Sequence, residues 1–273
     1  MRHTRIRTAL VAMGCTSLIA CSDSTGNAGN GTLTLRITDA PVGNVQSAKI
    51  WVSRSYLIGG SSETGGQVTI SSNKAEYELL ALQNGVTAAL GSASIPVGTY
   101  SQLRLVVDSA KVTLVDGFTF ADGSSGKVLK VPSGEQSGIK VNFAPVQITP
   151  GETVLVADFD VSRSFVFQGT KSAPNSVSFK PVIHATVQNV AATIAGTVTP
   201  ASSESNVYAV STISGDTVAT AIANKVSGVY KLWFLPPGAY TVSAKGTVAG
   251  SSFAASKAVT VSASENRTEL NLP

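Results

Sequence analysis

Cys21 is the residue whose surroundings most clearly indicate chemistry, because it ends an apolar run near the start of the chain. The run covers residues 8–20 (TALVAMGCTSLIA), carries no charge and is preceded by Arg2, Arg5 and Arg7. Its length is too short to cross a bilayer core of about 30 Å as a helix. A positive start followed by a short apolar run is typical of a secretory signal.

The four residues LIAC, 18–21, match the pattern of the bacterial lipobox. In signals of that kind the cysteine sulfur receives diacylglycerol, a peptidase cuts before the cysteine, and the new amino terminus is acylated. We therefore expect residues 1–20 to be a lipoprotein signal peptide and Cys21 to carry the lipid. Cys15 is the competitor, but cleavage there would leave too short an apolar run. The other interpretation is a plain signal peptide, or a buried N-terminal helix, with an incidental cysteine.

Small and polar residues follow the cysteine over positions 21–30 (CSDSTGNAGN), which predicts a disordered tether. The three acyl chains of a mature lipoprotein should anchor it stably to a membrane. Ser22 favours the outer membrane over the inner one, because Asp at that position directs retention in the inner membrane of enteric-type bacteria. We therefore expect an exported protein, anchored by lipid to the cell envelope.

The charge balance gives no support for a nucleic-acid partner. The full chain has 20 Lys and Arg against 16 Asp and Glu, and loss of the three signal arginines leaves 17 against 16. Cleavage also leaves Cys21 as the only thiol, so that no disulfide, cysteine-based zinc site or catalytic cysteine is predicted. The expected partners are the membrane, through the anchor, and a protein or polysaccharide ligand. No cofactor is expected apart from the covalent lipid.

Short alternating segments separated by Gly, Asn, Asp, Ser and Pro predict an all-β chain. We expect two antiparallel β-sandwich domains, residues 31–190 and 191–273, the second with seven strands. A short helix is expected only within Ala75–Gly85. In the segment 229–235 (VYKLWFL), alternation places Tyr230, Leu232 and Phe234 on one face. Lys231 and Trp233 then point outward, which makes Trp233 the candidate ligand-contact residue.

One pattern occurs in both predicted domains, as IPVGTY at residues 95–100 and LPPGAY at residues 235–240. Proline fixes φ for a turn, glycine permits a positive φ, and tyrosine can bury its ring while its hydroxyl ties the strand to a loop. We interpret the pattern as a structural device.

The side chains offer little for catalysis. His184 is the only histidine after cleavage, no GxSxG motif is present, and a strand histidine at the surface or in a hydrogen bond accounts for it. We therefore predict that the protein is not an enzyme, with a hydrolase using His184 as the remote alternative. Asp39, Asp158 and Asp160 are the only calcium candidates, but such residues more often cap turns or hold arginines, here Arg163, and no metal site is predicted.

Two family resemblances add to these inferences. Residues 31 to about 187 resemble the family called domain of unknown function 4382 through GTLTLRITDAPV, LLALQNGVTAALGSASIPVGTYSQLRLVVDSAKVTL, LKVPSGEQSGIKV, DFDVSRSFV and FKPVIHA. That family implies a lipoprotein-type domain with no established activity. The second segment is similar to carboxypeptidase-regulatory-like or prealbumin-like domains through GTVTP and GVYKLWFLPPGAYTV. This likeness implies a transthyretin/Ig-like sandwich.

Together these patterns predict a non-catalytic structural, adhesion or ligand-binding role in the cell envelope. A carbohydrate-binding or calcium-dependent adhesion module is the alternative.

Overall fold

The computed structural model describes residues 29–40, 45–59, 66–131, 137–170, 173–201, 205–248 and 250–273. Within these ranges the chain is almost entirely β-strand, which confirms the predicted fold class. The strands of the first part are β1 (Asn30–Ala40), β2 (Val45–Gly59), β3 (Gln67–Ser71), β4 (Ala75–Glu78), β5 (Ala88–Pro96), β6 (Gly98–Leu114), β7 (Gly126–Lys130), β8 (Ile139–Ile148), β9 (Glu152–Asp160), β10 (Phe165–Gly169), β11 (Pro174–Phe179) and β12 (Ile183–Val187). Those of the second part are β13 (Ala192–Thr197), β14 (Asn206–Ser211), β15 (Thr217–Ile222), β16 (Val229–Leu235), β17 (Gly238–Val248), β18 (Ser251–Val261) and β19 (Asn266–Arg267). The helical elements are α1 (Val161–Ser164) and two 3-10 turns, Leu79–Leu82 and Gln188–Val190.

The predicted signal peptide, Cys21 and the tether as far as residue 28 lie outside the described residues. The last residue of the predicted tether, Asn30, is already part of β1, and the Gly29 carbonyl accepts a hydrogen bond of 2.9 Å from Val97 N. No helix in the described ranges is both long and apolar enough to cross a membrane.

The first part of the chain packs two sheets around one core. One sheet has the strand order β12-β9-β1-β5, and the other has the order β3-β2-β6-β7, with β4 also on β2 and β8 also on β6. A separate hairpin joins β10 to β11. Leu33, Leu35 and Ile37 alternate into the core from β1, as their period of two requires. Most pairs are antiparallel as expected, but β1 pairs with β9, and β13 with β19, in parallel.

The segment expected to hold a short helix forms one turn of 3-10 helix after β4. Leu79 and Leu82 of this turn are buried in the first core. The turn is followed by Asn84 and Gly85, which both have positive φ, of 60° and 83°. An Asn-Gly pair with two positive φ angles reverses the chain sharply. This reversal presents Gly85 to the second part of the molecule.

The second part is a smaller sandwich of the seven strands that the sequence indicates. Its sheets have the orders β16-β13-β19 and β15-β14-β17-β18. Its buried apolar side chains, from Ala192 to Leu272, form a cluster separate from the first core.

The repeated proline–glycine–tyrosine pattern has the same geometry in both parts. Tyr100 is buried, and its hydroxyl donates a hydrogen bond of 3.0 Å to the carbonyl of Pro96. Tyr240 is buried as well and donates to the carbonyl of Pro236 at 2.6 Å. Each hydroxyl therefore ties its strand to the turn before it, which confirms the structural interpretation.

A β-bulge in β16 corrects one detail of the sequence analysis. Ala192 pairs with Leu235 and Ile194 with Leu232, so that two residues of β16 stand opposite one residue of β13. Phe234 takes a positive φ of 53° at this bulge. Leu235 is consequently the buried residue, and Phe234 is only half-buried. The prediction that Phe234 shares the core face was wrong, because strict alternation ends at the bulge.

Candidate functional site at the domain junction

The second sandwich lies against the sheet β12-β9-β1-β5 of the first, and side chains from both parts meet there. Arg163 of α1 donates from Nη1 to the carbonyl of Thr217 at 3.2 Å. Thr38, Asp158 and His184 are cross-strand neighbours on β1, β9 and β12, so that their side chains form a row on one face of the sheet. This row, with the Asn84–Gly85 turn, provides one side of the junction. Strands β14, β15 and β16 provide the other.

Asp39 is buried at the end of β1, with 4% of its surface exposed. Its Oδ1 accepts a hydrogen bond of 3.3 Å from Val161 N, whereas its Oδ2 is buried without a hydrogen-bond partner. Burial, and then the nearby carboxylate of Asp158, raise the pKa of Asp39 well above its usual value, although hydrogen bonds from Val161 N and the Gln83 side chain oppose this effect.

Asp158 is the second carboxyl group at the junction. Its Oδ1 is also buried without a hydrogen-bond partner. Burial is the main cause that raises the pKa of Asp158 well above its usual value, and the charge of Asp160 adds to it. An ionised carboxylate is costly in such surroundings, so that both groups favour the protonated form.

Asp160, the third calcium candidate, serves as the N-cap of α1. Its Oδ1 accepts from Ser162 Oγ at 2.5 Å and from Arg163 N at 3.0 Å. The expected pairing with Arg163 therefore goes through the backbone N–H, while the guanidinium group reaches Thr217. Among the described residues, no group of three or more His, Cys, Asp or Glu side chains is placed to hold a metal ion.

His184 is mostly enclosed by the junction. Its Nε2 is buried without a hydrogen-bond partner, so that this nitrogen does not contact a serine hydroxyl as the base of a triad would. The ring is hydrogen-bonded to the backbone of Thr217 in the second part of the chain. Burial lowers the pKa of His184, and the charge of Asp160 partly opposes this effect. The ring is therefore held in its neutral form.

Trp233, the candidate ligand-contact residue, is half-buried against the first domain. A Cβ placed on Gly85 would lie only 2.8 Å from Cδ2 of the indole. Lys231 Nζ lies 3.7 Å from the centroid of the Trp233 ring, and the ring centroid of Phe234 is 6.4 Å away. The residue does point out of its own core as predicted, but the surface that it contacts in the structure is the Asn84–Gly85 turn.

A small cavity lies between the two domains, behind Trp233. Its polar lining residues are Thr38, Asp39, Asn84, Asp158, Thr220 and Lys231. It has room for about one water molecule, which is too little for an organic ligand. Thr220 Oγ1 is a further buried atom without a partner. The cavity can hold a water molecule beside the buried Asp158 carboxyl group.

Sequence reasoning missed Asn84, Gly85, Lys231 and Thr220 as junction residues. The Asn-Gly dipeptide was the signal that could have identified the sharp turn. Nothing in the local sequence indicates which part of the second domain that turn contacts.

The chain belongs to the family described as Domain of unknown function (DUF4382), whose model matches residues 30–181. No curated protein matches it at the required significance. The family match ends before β12, so that it covers the first sandwich except for that strand and none of the second.

Three solved structures show weak likeness to this chain. The Bacillus anthracis TIE protein is 14% identical with a TM-score of 0.24, and the match covers 89% of this chain but only 34% of that one. A putative cell adhesion protein from Bacteroides fragilis is 10% identical, with a TM-score of 0.19 and coverage of 86% and 91%. A C-terminal fragment of the pilus adhesin SpaC from Lactobacillus rhamnosus GG is 9% identical, with a TM-score of 0.17 and coverage of 85% and 83%.

Proposed function

We propose that this DUF4382-family protein is exported and anchored by lipid at Cys21 to the cell envelope, in the outer membrane. The observation that carries the proposal is the order of three features along the chain. An LIAC motif ends a signal-like run, a small polar segment follows, and a folded all-β body begins at Asn30. A lipid anchor followed by a flexible tether would hold such a folded body at the membrane surface.

The role of the folded body is non-catalytic in this proposal: structural support, adhesion or ligand binding. The positions of one calcium candidate and of the one hydrolase candidate support this role. Asp160 caps α1, and His184 Nε2 is buried without a hydrogen-bond partner. A protein or polysaccharide ligand would meet the end loops or the exposed sheet edges, where sandwich domains commonly bind. Strand β18 is one such edge, since it lies at the end of its sheet.

We also propose that the second sandwich is a carboxypeptidase-regulatory-like domain. The support is its motif, residues 228–242 (GVYKLWFLPPGAYTV), together with seven strands in two facing sheets. In this arrangement Tyr230 is buried and its hydroxyl donates to the carbonyl of Leu270, which joins two distant parts of the sandwich.

The alternative of a carbohydrate-binding or calcium-dependent adhesion module has less support from the geometry. Trp233 is covered by Gly85 and Lys231 and offers no open aromatic platform. Asp160 is used as a helix cap and does not join Asp39 and Asp158 around the cavity.

Metabolic labelling with an alkyne-bearing fatty acid, followed by membrane fractionation, tests the anchoring. Wild type should incorporate the label and sediment with the outer membrane, whereas Cys21→Ala should lose the label and leave the membrane fraction. Cys15→Ala is the matched control, because Cys15 is the competing cysteine, and it should behave like wild type. Label retained by Cys21→Ala, or lost by Cys15→Ala, would contradict the proposal.

A further inference from the structure

Three buried side-chain atoms without hydrogen-bond partners gather at the domain junction. They are Asp158 Oδ1, His184 Nε2 and Thr220 Oγ1. The described residues contain three others, Asp39 Oδ2, Ser55 Oγ and Ser205 Oγ. Buried polar atoms without partners are costly, and their concentration at one interface calls for a physical explanation.

We propose that the junction is a proton-controlled latch, in which the docked domains hold a proton on Asp158 and loss of that proton loosens the contact between Trp233 and Gly85. The proton comes from solvent when the domains dock and returns to solvent when they separate. No other reactant takes part.

Protonation removes the negative charge that makes burial of a carboxyl group unfavourable. A neutral Asp158 carboxyl group carries an O–H donor, which it can give to a water molecule in the cavity that Thr220 also lines. As a carboxylate, Asp158 would be an acceptor only. The raised pKa of Asp158, caused first by burial, agrees with a docked state that keeps the proton.

The cations near Asp158 are engaged elsewhere. Asp160 raises its pKa, His184 is its cross-strand neighbour, and Lys231 lines the same cavity. The other charged or titratable groups around the junction are Arg163 and Asp216, which lie near His184, Tyr208, which lies near Asp160, and Arg36, which precedes Thr38 by two residues on β1. Arg36 Nε donates to Thr87 at 2.6 Å, Arg163 bonds to the Thr217 carbonyl, and Lys231 lies over Trp233. In the described part of the chain, no salt bridge joins any of the three to Asp39 or Asp158.

The second domain forms the cover of the cavity. Ala219, Thr220, Trp233 and Phe234 close it from that side. Separation of the domains would admit water to the Asp158 carboxyl group and return its pKa toward the ordinary value of about 3.9. At pH values above about 3.9 the docked state therefore binds more protons than the separated state. As a consequence, docking weakens as the pH rises through the raised pKa.

Trp233 fluorescence can report the latch directly. The chain has two tryptophans, so that Trp51→Phe in the full chain leaves Trp233 as the only one. Emission is recorded from pH 4 to pH 9 with far-UV circular dichroism as a check of folding. The latch predicts that the emission maximum moves to longer wavelength as the pH rises, with the β-sheet signal unchanged.

Two variants mimic the protonated carboxyl group. Asp158→Asn, and Asp39→Asn with Asp158→Asn, should keep the short-wavelength emission to pH 9. The matched control is Asp116→Asn, outside the junction, which should show the same transition as the parent. Should the double variant fail to fold, Asp158→Asn alone decides. His184→Gln should also keep the transition, since His184 is not the proton carrier.

Three results would overturn the latch. The first is an emission maximum that does not change with pH, and the second is a transition that persists unchanged in the folded asparagine variants. The third is recovery of the short-wavelength emission at high pH on addition of calcium chloride, because a cation would then take the place of the proton.

Discussion

Gly85 and Trp233 touch across the domain junction, and no side chain fits between them. A Cβ on Gly85 would lie 2.8 Å from Cδ2 and 2.9 Å from Cε3 of the indole. The φ of Gly85, +83°, is also in the region that side chains disfavour. A turn in one sandwich and a bulge in the other thus form one contact, and this contact encloses the buried carboxyl groups.

Gly85→Ala should weaken the docking of the two domains. The positive φ alone should cost about 1–2 kcal/mol, and the clash with the indole should add about 1–3 kcal/mol of overpacking. Gly117 is a matched control, since it has a φ of +85° but no atom within 4 Å of a Cβ at its position. Urea unfolding of both variants measures the difference. Equal losses from Gly85→Ala and Gly117→Ala would mean that the indole contact contributes nothing.

Tyr100→Phe and Tyr240→Phe should each lower the free energy of unfolding by about 1 kcal/mol, because each removes one hydrogen bond to a proline carbonyl. The two residues lie in different cores, so that the losses should add in the double variant. Tyr77→Phe is the comparison, since its exposed hydroxyl bonds to Ala89 O and water can replace it. A loss from Tyr77→Phe as large as the other two would contradict the view that burial makes these hydrogen bonds stabilising.

Burial also raises the pKa of Tyr240 to about 12, which alkaline absorbance titration can measure.

His184 should make the protein less stable as the pH falls. Burial lowers its pKa in the folded state, whereas the unfolded chain has a value near 6.5. The unfolded state therefore binds more protons between these two values, and the free energy of unfolding decreases as the pH falls through 6.5. Melting temperatures at pH 5 and pH 8 should show that His184→Gln gains relative to wild type at the lower pH. The same difference at both pH values would show that the histidine does not titrate in this way.

Asp160→Ala should cost about 1 kcal/mol through loss of the N-cap of α1. Asp160→Asn should cost less, because the amide oxygen can still accept from Arg163 N and Ser162 Oγ. Chemical unfolding with and without calcium separates a cap from a metal ligand. A cap predicts no response to calcium in any of the three proteins, and calcium stabilisation of wild type alone would contradict it.

The strands were predictable because their signals are local. Alternating apolar residues and turn-forming residues recur throughout the chain, and all seven strands of the second sandwich follow that pattern. The bonds of Tyr100 and Tyr240 were also predictable, since the hydroxyl and its acceptor are only four residues apart. The face of Phe234 was not, because a bulge shifts the alternation by one residue and leaves no clear mark in the sequence.

The junction could be anticipated only in fragments. Trp233 was identified as pointing out of its core, and Asp39, Asp158 and His184 were identified as chemically notable. Their meeting in space depends on the parallel pairing of β1 with β9 and on the placement of the second domain. Neither the parallel pairing nor the domain placement produces a periodic pattern in the sequence. The burial of Asp39, Asp158 and Thr220 is therefore seen only in the tertiary structure.

Mass spectrometry of the N-terminal peptide from the membrane-extracted protein tests the proposed anchoring most directly. The account predicts that the first residue is Cys21, with a diacylglyceryl thioether on its sulfur and an acyl chain on its amino group. An unmodified amino terminus at any other residue would contradict it.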